Sequence, residues 1–291
     1  GANLAQTDLS DSILKADAGG QAAIEFTKAT LAQADLSGSK LRAYGGRAAT
    51  VDFSEANLAQ AVLSGSKFTT TGDTGETTAT IGFRKTNLAH ADMSRSRLEA
   101  TNAHEAMIDF GEANLARADL SGSNLEAEAP YESATIEFTE ANLANTDLSG
   151  SRLIAESRAA TARIGFAKAE LTNTDLSGSW LTATTEGYDD ATIDFTEANL
   201  TNVDLRGSMV EATSSEGESK IDCSEAELAH VDLSGSIISA DNIICLPSPP
   251  PPTPWPPPPS QPPAPPSPPA PSPSPPPPSP LPPPMPPPDP P

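Results

Sequence analysis

The chain has 291 residues, with 39 acidic against 17 basic side chains and a net charge of −22, and 31 of its 32 prolines fall at or after Pro247. So acidic a body repels nucleic acid and anionic membranes and favours divalent cations or basic partners, and no apolar run approaches the ~20 residues of a membrane span. A core is available only to about the first 246 residues, which divides the chain into a body, 1–246, and a tail, 247–291.

The body repeats one phrase, roughly I-D-F-T-E-A-N-L-A-x-x-D-L-S-G-S-x-L. It begins at Ile24, Val51, Ile81, Ile108, Ile136, Ile164, Ile193 and Ile221. Self-similarity at such a period predicts a stacked solenoid. Gly1 already stands inside a phrase, consistent with a removed leader.

Within one unit, Phe110, Leu115, Leu120 and Leu125 are spaced by five, and Ile108, Ala113, Ala118 and Ser123 precede each by two. A helix repeats every 3.6 residues and a strand every two, so neither gives a five. A coil with short sides does: each side points a small and then a large residue inward, and the next pair turns the corner. Ser-Gly after Leu120 suits a corner, because Gly tolerates positive φ.

The small residue, Asp or Asn, then Leu, as in Ala113-Asn114-Leu115 and Ala118-Asp119-Leu120-Ser121-Gly122, resembles the pentapeptide-repeat family over residues 1 to about 245. The resemblance implies an all-β, right-handed quadrilateral parallel β-helix, here of about nine coils. One departure is systematic. After its fourth side each unit inserts a polar, variable stretch such as Glu126 to Thr135. We expect one hairpin-like arm per coil at one corner, stacked into a ridge that is either contact surface or tolerated loop.

The inward ladder of side one is Phe26, Phe53, Phe83, Phe110, Phe138, Phe166, Phe195 and then Cys223. Outward ladders are Asn3, Asn57, Asn87, Asn114, Asn142 and Asn199 on side two, and Asp8, Asp35, Asp92, Asp119, Asp147, Asp175, Asp204 and Asp232 on side three. Carboxylates stacked about 4.8 Å apart repel by about 1 kcal/mol per pair in water. Ca²⁺, protonation or neighbouring cations would relieve this; otherwise the ladder is a solvated surface. No cofactor is expected, and Ca²⁺ on the Asp ladder is the one metal to consider. The histidines, His90, His104 and His230, are scattered, and no nucleophile elbow, phosphate loop or Cys-x-x-Cys is present, so the chain does not read as an enzyme.

Cys223 and Cys245 are a disulfide candidate in an oxidising compartment and free thiols otherwise. Ile243 is expected directly above Cys223, with Cys245 two residues along the same strand. Asn199-Leu200-Thr201 is an N-glycosylation sequon.

The tail contains two Ser-Pro₄ runs, Ser248 with Pro249, Pro250, Pro251 and Pro252, and Ser274 with Pro275, Pro276, Pro277 and Pro278. Proline's fixed φ and missing N–H predict extended polyproline II. The runs resemble those of extensins and the hydroxyproline-rich glycoproteins of plant and green-algal walls. That implies prolyl hydroxylation and O-glycosylation at these prolines and serines. Proline-rich tails that dock on recognition modules look alike in sequence.

Counting sides gives three before Phe26 (Leu4, Leu9, Leu14), eight full coils, and a lone side one at Ile243, which together amount to nine coils. No polar cap is evident at either end, although a solenoid normally needs one. A head-to-tail contact is expected to join Gly1, Ala2, Asn3 and Leu4 of one copy to Asp241 and Ile243 of the next. Ile13, Trp180, Met209 and Ile237, on the outward position of side four, would then form a continuous apolar strip. A heterologous contact that does not close makes a filament. The expected function is a secreted structural subunit of an extracellular glycoprotein filament. Alternatives are a non-polymeric wall or matrix module, whose arms bind carbohydrate or protein, and an acidic solenoid that mimics duplex DNA.

Overall fold

A computed structural model describes residues 1–73 and 77–245. All expectations for the tail, including Ser248, Pro249 to Pro252, Ser274 and Pro275 to Pro278, lie outside the described residues.

Among the described residues the chain is an all-β solenoid of about eight turns, with no helix. Its strands form two nine-stranded sheets in which every pairing is parallel. One sheet runs from Ile13–Ala18 through Lys40–Gly45 and onward to Ile237–Ser239; the other runs from Gln21–Glu25 to Asn242–Ile244. We call them the side-four and side-one sheets. The two remaining ladders of each turn are single parallel bridges, Asn57 to Asn87 and Asp92 to Asp119 being examples. The count of nine coils taken from the sequence includes partial turns at both ends.

Five-residue steps are closed by tight turns. Ala29 N–H donates to Phe26 carbonyl at 2.8 Å, Ala34 to Leu31 at 3.0 Å and Ser39 to Leu36 at 3.1 Å. In each turn the third residue has positive φ: Lys28 at 57°, Gln33 at 59° and Gly38 at 65°. Glycine therefore serves one corner in three, except in two coils where Asp11 and Arg95 take its place, and Lys, Glu, Gln, Asn, Arg or His occupy the other two. A left-handed L-residue costs roughly 1–2 kcal/mol. The same amides recover a partner in the next coil, Lys28 N–H reaching Ser54 carbonyl and Gln33 N–H reaching Ala59 carbonyl, both at 3.0 Å.

The inserts are not hairpin arms. Their residues continue the two sheets in register: Ala43 pairs with Ala16 and Thr70, and Ala49 pairs with Ala22 and Ala79. The coil is thus drawn out at one corner into a thin double layer. Its inward positions are almost all small and buried, with Ala43, Ala100, Ala127, Ala155 and Ala183 on one sheet and Ala49, Ala79, Ala106, Ala134 and Ala162 on the other. Only small side chains let two sheets approach closely, which is why the polar-looking inserts carry a period-two alanine. The Ala-Thr before Val51, Ile81, Ile136 and Ile193 is that alternation, and it is a strand signal.

The core is a stack of Phe rings. Centroids from Phe26 to Phe195 follow at 4.8 to 5.1 Å with interplanar angles of 2° to 7°. Phe53, Phe110 and their neighbours are fully buried, each such side chain contributing roughly 1.5–3 kcal/mol.

Candidate functional site

The last coil leaves the core open. Leu228, Leu233, Ile237, Ile238 and Ile243 are between 37% and 57% exposed, whereas their equivalents one or two coils below are almost fully buried in four of the five columns. A hollow of about 270 Å³ opens there, lined by Phe195, Leu205, Val210, Leu233, Ile238 and Ile243 with the two cysteines at its edge. Its walls are the inward ladders themselves, so the hollow is the solenoid's own core seen end-on.

Cys223 and Cys245 are bonded to each other, with Cα atoms 4.6 Å apart. The register differs from expectation by two residues. Ile243 lies over Ile221 and Ile244 over Asp222, so Cys245, not Ile243, follows above Cys223. The reason is that Asp241 and Asn242 stand in for the missing insert. Cys223 N–H donates to Ile244 carbonyl at 2.7 Å. Asp241 accepts the Ser219 hydroxyl at 2.7 Å while its own N–H donates to that hydroxyl oxygen at 2.8 Å. Asp241 therefore ties the final strand down rather than offering its side chain outward.

At the opposite end, Ala2 carbonyl accepts Thr30 N–H at 2.8 Å and Leu4 N–H donates to Thr30 carbonyl at 2.7 Å. Asn3 bridges to Thr30, and a Cβ on Gly1 would collide with Lys28 carbonyl. Leu4, Leu9, Leu14 and Phe26 are only partly buried. Ile13, Trp180, Met209 and Ile237 share one outward column of the side-four sheet. Ile13 is 62% exposed and Trp180 46%, with the Arg152 guanidinium 5.0 Å from the indole centroid. Trp180 sits two strands in from the last, on the lateral face and not on the open end.

The polar ladders do structural work that their sequence pattern did not reveal. Asp35, Asp92, Asp119, Asp147 and Asp175 each accept the backbone N–H two residues on, at 2.8 to 2.9 Å. The Asn ladder does the same and also links coils: Asn87, Asn114 and Asn142 each donate their side-chain amide to the Asn of the coil before, at 3.2 to 3.3 Å. Asn199 donates to Glu170 at 3.1 Å and accepts Thr201 N–H at 3.1 Å, so the sequon's amide nitrogen is already engaged. Lys28 with Glu55, Lys85 with Glu112 and Lys168 with Glu197 form exposed ion pairs at 3.3 to 3.7 Å.

Two carboxylates on the side-one sheet share one cation. Arg163 reaches Glu137 at 2.5 Å and Asp194 at 2.8 Å. Burial pushes Asp194 up, but the Thr196 hydroxyl and N–H together with Arg163 outweigh it and hold the carboxyl below its ordinary value. Gly165 makes room, since a Cβ there would lie within 3 Å of the Glu137 carboxylate. Burial raises Asp109, only partly offset by Gly111 N–H and Arg84. Among the histidines, His104 contacts Glu132 at 3.2 Å, while His90 and His230 serve as positive-φ corner residues. Among the described residues no group of three His, Cys, Asp or Glu side chains is placed to hold a metal ion.

No protein-family model matches the chain, and no curated protein matches it. Solved structures do. The chain is similar to HetL, a pentapeptide repeat protein involved in heterocyst differentiation regulation from the cyanobacterium Nostoc, at 21% identity over 81% of this chain and 90% of that one, TM-score 0.29. It is similar to QnrB1, a plasmid-mediated fluoroquinolone resistance protein, at 17% identity over 82% and 90%, TM-score 0.30. A pentapeptide repeat protein from the Arabidopsis thaliana thylakoid lumen matches at 20% identity over 50% and 64%, TM-score 0.17. The body of this chain is a β-solenoid built on a five-residue repeat, and pentapeptide-repeat proteins are among the structures it matches.

Proposed function

We propose that this chain is a non-enzymatic structural subunit of an extracellular glycoprotein filament. Its body would be a right-handed, four-sided pentapeptide-repeat coil that stacks end to end, and its proline-rich tail an extensin-like, O-glycosylated strand along the fibre. The observation that carries this reading is the open C-terminal end. Two sheet edges and an apolar hollow of about 270 Å³ face outward together, and an uncovered edge invites strand addition. The surface that would fit best is another coil of the same rise, such as the turn of a second copy bearing Leu4, Leu9 and Leu14. Ile13 would then follow Ile237 in one column, and the axial repeat would be about 43 Å, nine strand spacings.

The test is imaging of the native protein beside a Leu233→Asp, Ile243→Asp variant, whose side chains line the open hollow and are 45% and 48% exposed, with circular dichroism to confirm that the variant is folded. Fibres with the stated repeat in the native protein, and single rods in the variant, are expected. Fibres formed by the variant at the same concentration and with the same repeat would sink end stacking and leave a single wall or matrix module. Secretion and tail glycosylation are tested separately by intact mass of native material: a tail mass equal to unmodified Pro and Ser rejects them. Calcium bridging belongs to the same proposal, since the second carboxylate oxygens of Asp92, Asp119 and Asp147 take no hydrogen bond among the described residues. A melting temperature that 1 mM Ca²⁺ leaves unmoved would remove it.

A further inference from the structure

The net charge of −22 is spread unevenly along the chain. Residues 1–100 carry 10 basic and 11 acidic side chains, and residues 101–291 carry 7 and 28. The first coils are thus close to neutral, and such an asymmetry points to a local anion-binding face. On the first two strands of the side-four sheet the exposed residues are Ile13, Lys15 and Asp17 beside Lys40, Arg42 and Tyr44. The register sets Ile13 against Lys40, Lys15 against Arg42 and Asp17 against Tyr44. Lys15, Lys40 and Arg42 line a shallow groove of about 360 Å³ with Ile13, Lys67 and Thr69. Lys67 is held by Glu99 at 2.7 Å, but the other three cations make no ion pair among the described residues. Farther along the same two strands a second hollow, of about 300 Å³, is lined by Asp17, Ala18, Gly19, Tyr44, Gly46 and Asp73. Tyr44 is 37% exposed and stands two residues, or about 7 Å, beyond Arg42 on the same face. A cationic groove is therefore followed, along Lys40–Gly45, by an aromatic ring beside a carboxylate.

We propose that this strip binds an acidic polysaccharide, a chain of sugar rings that carry carboxylate or sulfate groups. The acid groups lie against Lys15, Lys40 and Arg42, the Arg42 fork offering paired donors to an oxyanion. The apolar face of a ring covers Tyr44, and its hydroxyls donate to the Asp17 carboxylate. Asp17 is what favours a sugar over a nucleic acid. A single strand stacked on Tyr44 would run its phosphates past cations, whereas here a carboxylate stands beside the ring and repels them. A narrow ligand running along the strand direction also avoids the acidic coils. Glu99 and Glu126 follow Thr69 across the sheet, two and three strands on from Arg42, or about 10 and 14 Å. Those distances exceed the ~8 Å screening length at physiological salt, and Glu99 already holds Lys67. A duplex or a bilayer is too broad to miss them. The site uses the side of the rod and stands whether or not the ends stack.

The experiment is calorimetry on the full chain with a short oligogalacturonate, a sulfated galactan oligomer and a neutral galactan oligomer. Short oligomers keep one ligand from bridging several rods. Binding of an acidic oligomer at 20 mM NaCl that weakens at 500 mM NaCl is expected, with none for the neutral one, and the tighter of the two acidic oligomers identifies the acid group. Lys40→Glu with Arg42→Glu should weaken binding on the order of tenfold. Lys168→Glu with Arg206→Glu changes the net charge equally on coils far along the rod and should leave binding within about twofold. Tyr44→Ala should weaken the acidic sugar severalfold without altering any binding of polyglutamate, and Tyr44→Phe should restore it. Circular dichroism confirms that each variant is folded. Failure of both acidic oligomers to bind, or equal losses in the two charge reversals, would overturn the proposal. So would polyglutamate bound as tightly as the sugars, which is ion exchange alone, or tighter binding of single-stranded DNA or phosphatidylserine vesicles. Self-association at 20 mM NaCl that Lys40→Glu with Arg42→Glu abolishes would make a second copy the occupant instead.

Discussion

Each corner of the coil sets a different demand on one residue. Gly150 has φ of 62° with nothing within 4 Å of an added Cβ, so Gly150→Ala meets only backbone strain. A loss of about 1 kcal/mol is expected in denaturant unfolding. Gly165→Ala, by contrast, drives a methyl into the Glu137 carboxylate and breaks the Arg163 clamp, so its loss should be the larger of the two. If the alanines cost the same, the clamp contributes nothing. Glu156 offers a pH test at the same scale. Burial first, then Glu128, Glu126 and Glu186, raise its carboxyl, so the folded state holds the proton more tightly than the unfolded one. The ionised group therefore destabilises the fold at neutral pH and is harmless below the unfolded pKa. Glu156→Gln should raise the melting temperature at pH 7, and the gain should fade as the pH falls through the ordinary glutamate range. A gain that persists at pH 3 would point to packing instead of charge.

At the scale of the element, the Asp ladder separates two roles that one carboxylate can play. Asp119 accepts Ser121 N–H at 2.8 Å and the Ser121 hydroxyl at 2.6 Å, yet it stacks between Asp92 and Asp147. Asp119→Asn keeps an acceptor for the N–H and removes a like charge, so stability at pH 7 should hold or rise. Asp119→Ala leaves the turn amide without its partner and should cost about 1 kcal/mol. Equal losses for Asn and Ala would mean that the charge, and hence a cation, matters to the ladder. Much of this architecture was legible before any coordinates. The five-residue step located Phe110, Leu115, Leu120 and Leu125 inside, and all four are fully buried. The thin double layer was not legible because a five-residue template has no place for it. Ala127 and Ala134 belong to a period-two pattern only two or three inward positions long, masked by polar residues between them. The non-glycine corners were missed for a related reason: Lys28 and Gln33 carry no mark of positive φ, which the coil imposes through the amides it pairs. The last strand's register slipped because counting by fives from Ile238 ignores Asp241 and Asn242, which replace the insert.

For the molecule as a whole, contacts run almost entirely between adjacent coils, so stability is close to a sum of neighbour terms. The ends are then its weakest part, and the C-terminal end has the least to hold it. Its final strands, Ile237–Ser239 and Asn242–Ile244, each pair on one side only, and Ile237, Ile238 and Ile243 stay exposed. The bond between Cys223 and Cys245 closes 22 residues at that point, which the chain-entropy model values at about 3 kcal/mol. In a solenoid that gain is local. Reducing the bond should fray the last coil while the coils around Phe110 keep their protection, so hydrogen exchange should rise first at Asn242–Ile244 and then at Ser219–Asp222, with the Phe110 amide unchanged. Cys245→Ser should show the same gradient without reductant. End stacking makes a further demand on this strand: if a second copy covers it, polymerisation should restore its protection even in the reduced protein. Uniform exchange along all the coils on reduction would mean that the rod unfolds as one unit, and the open end would then lose its standing as a separable, adhesive surface.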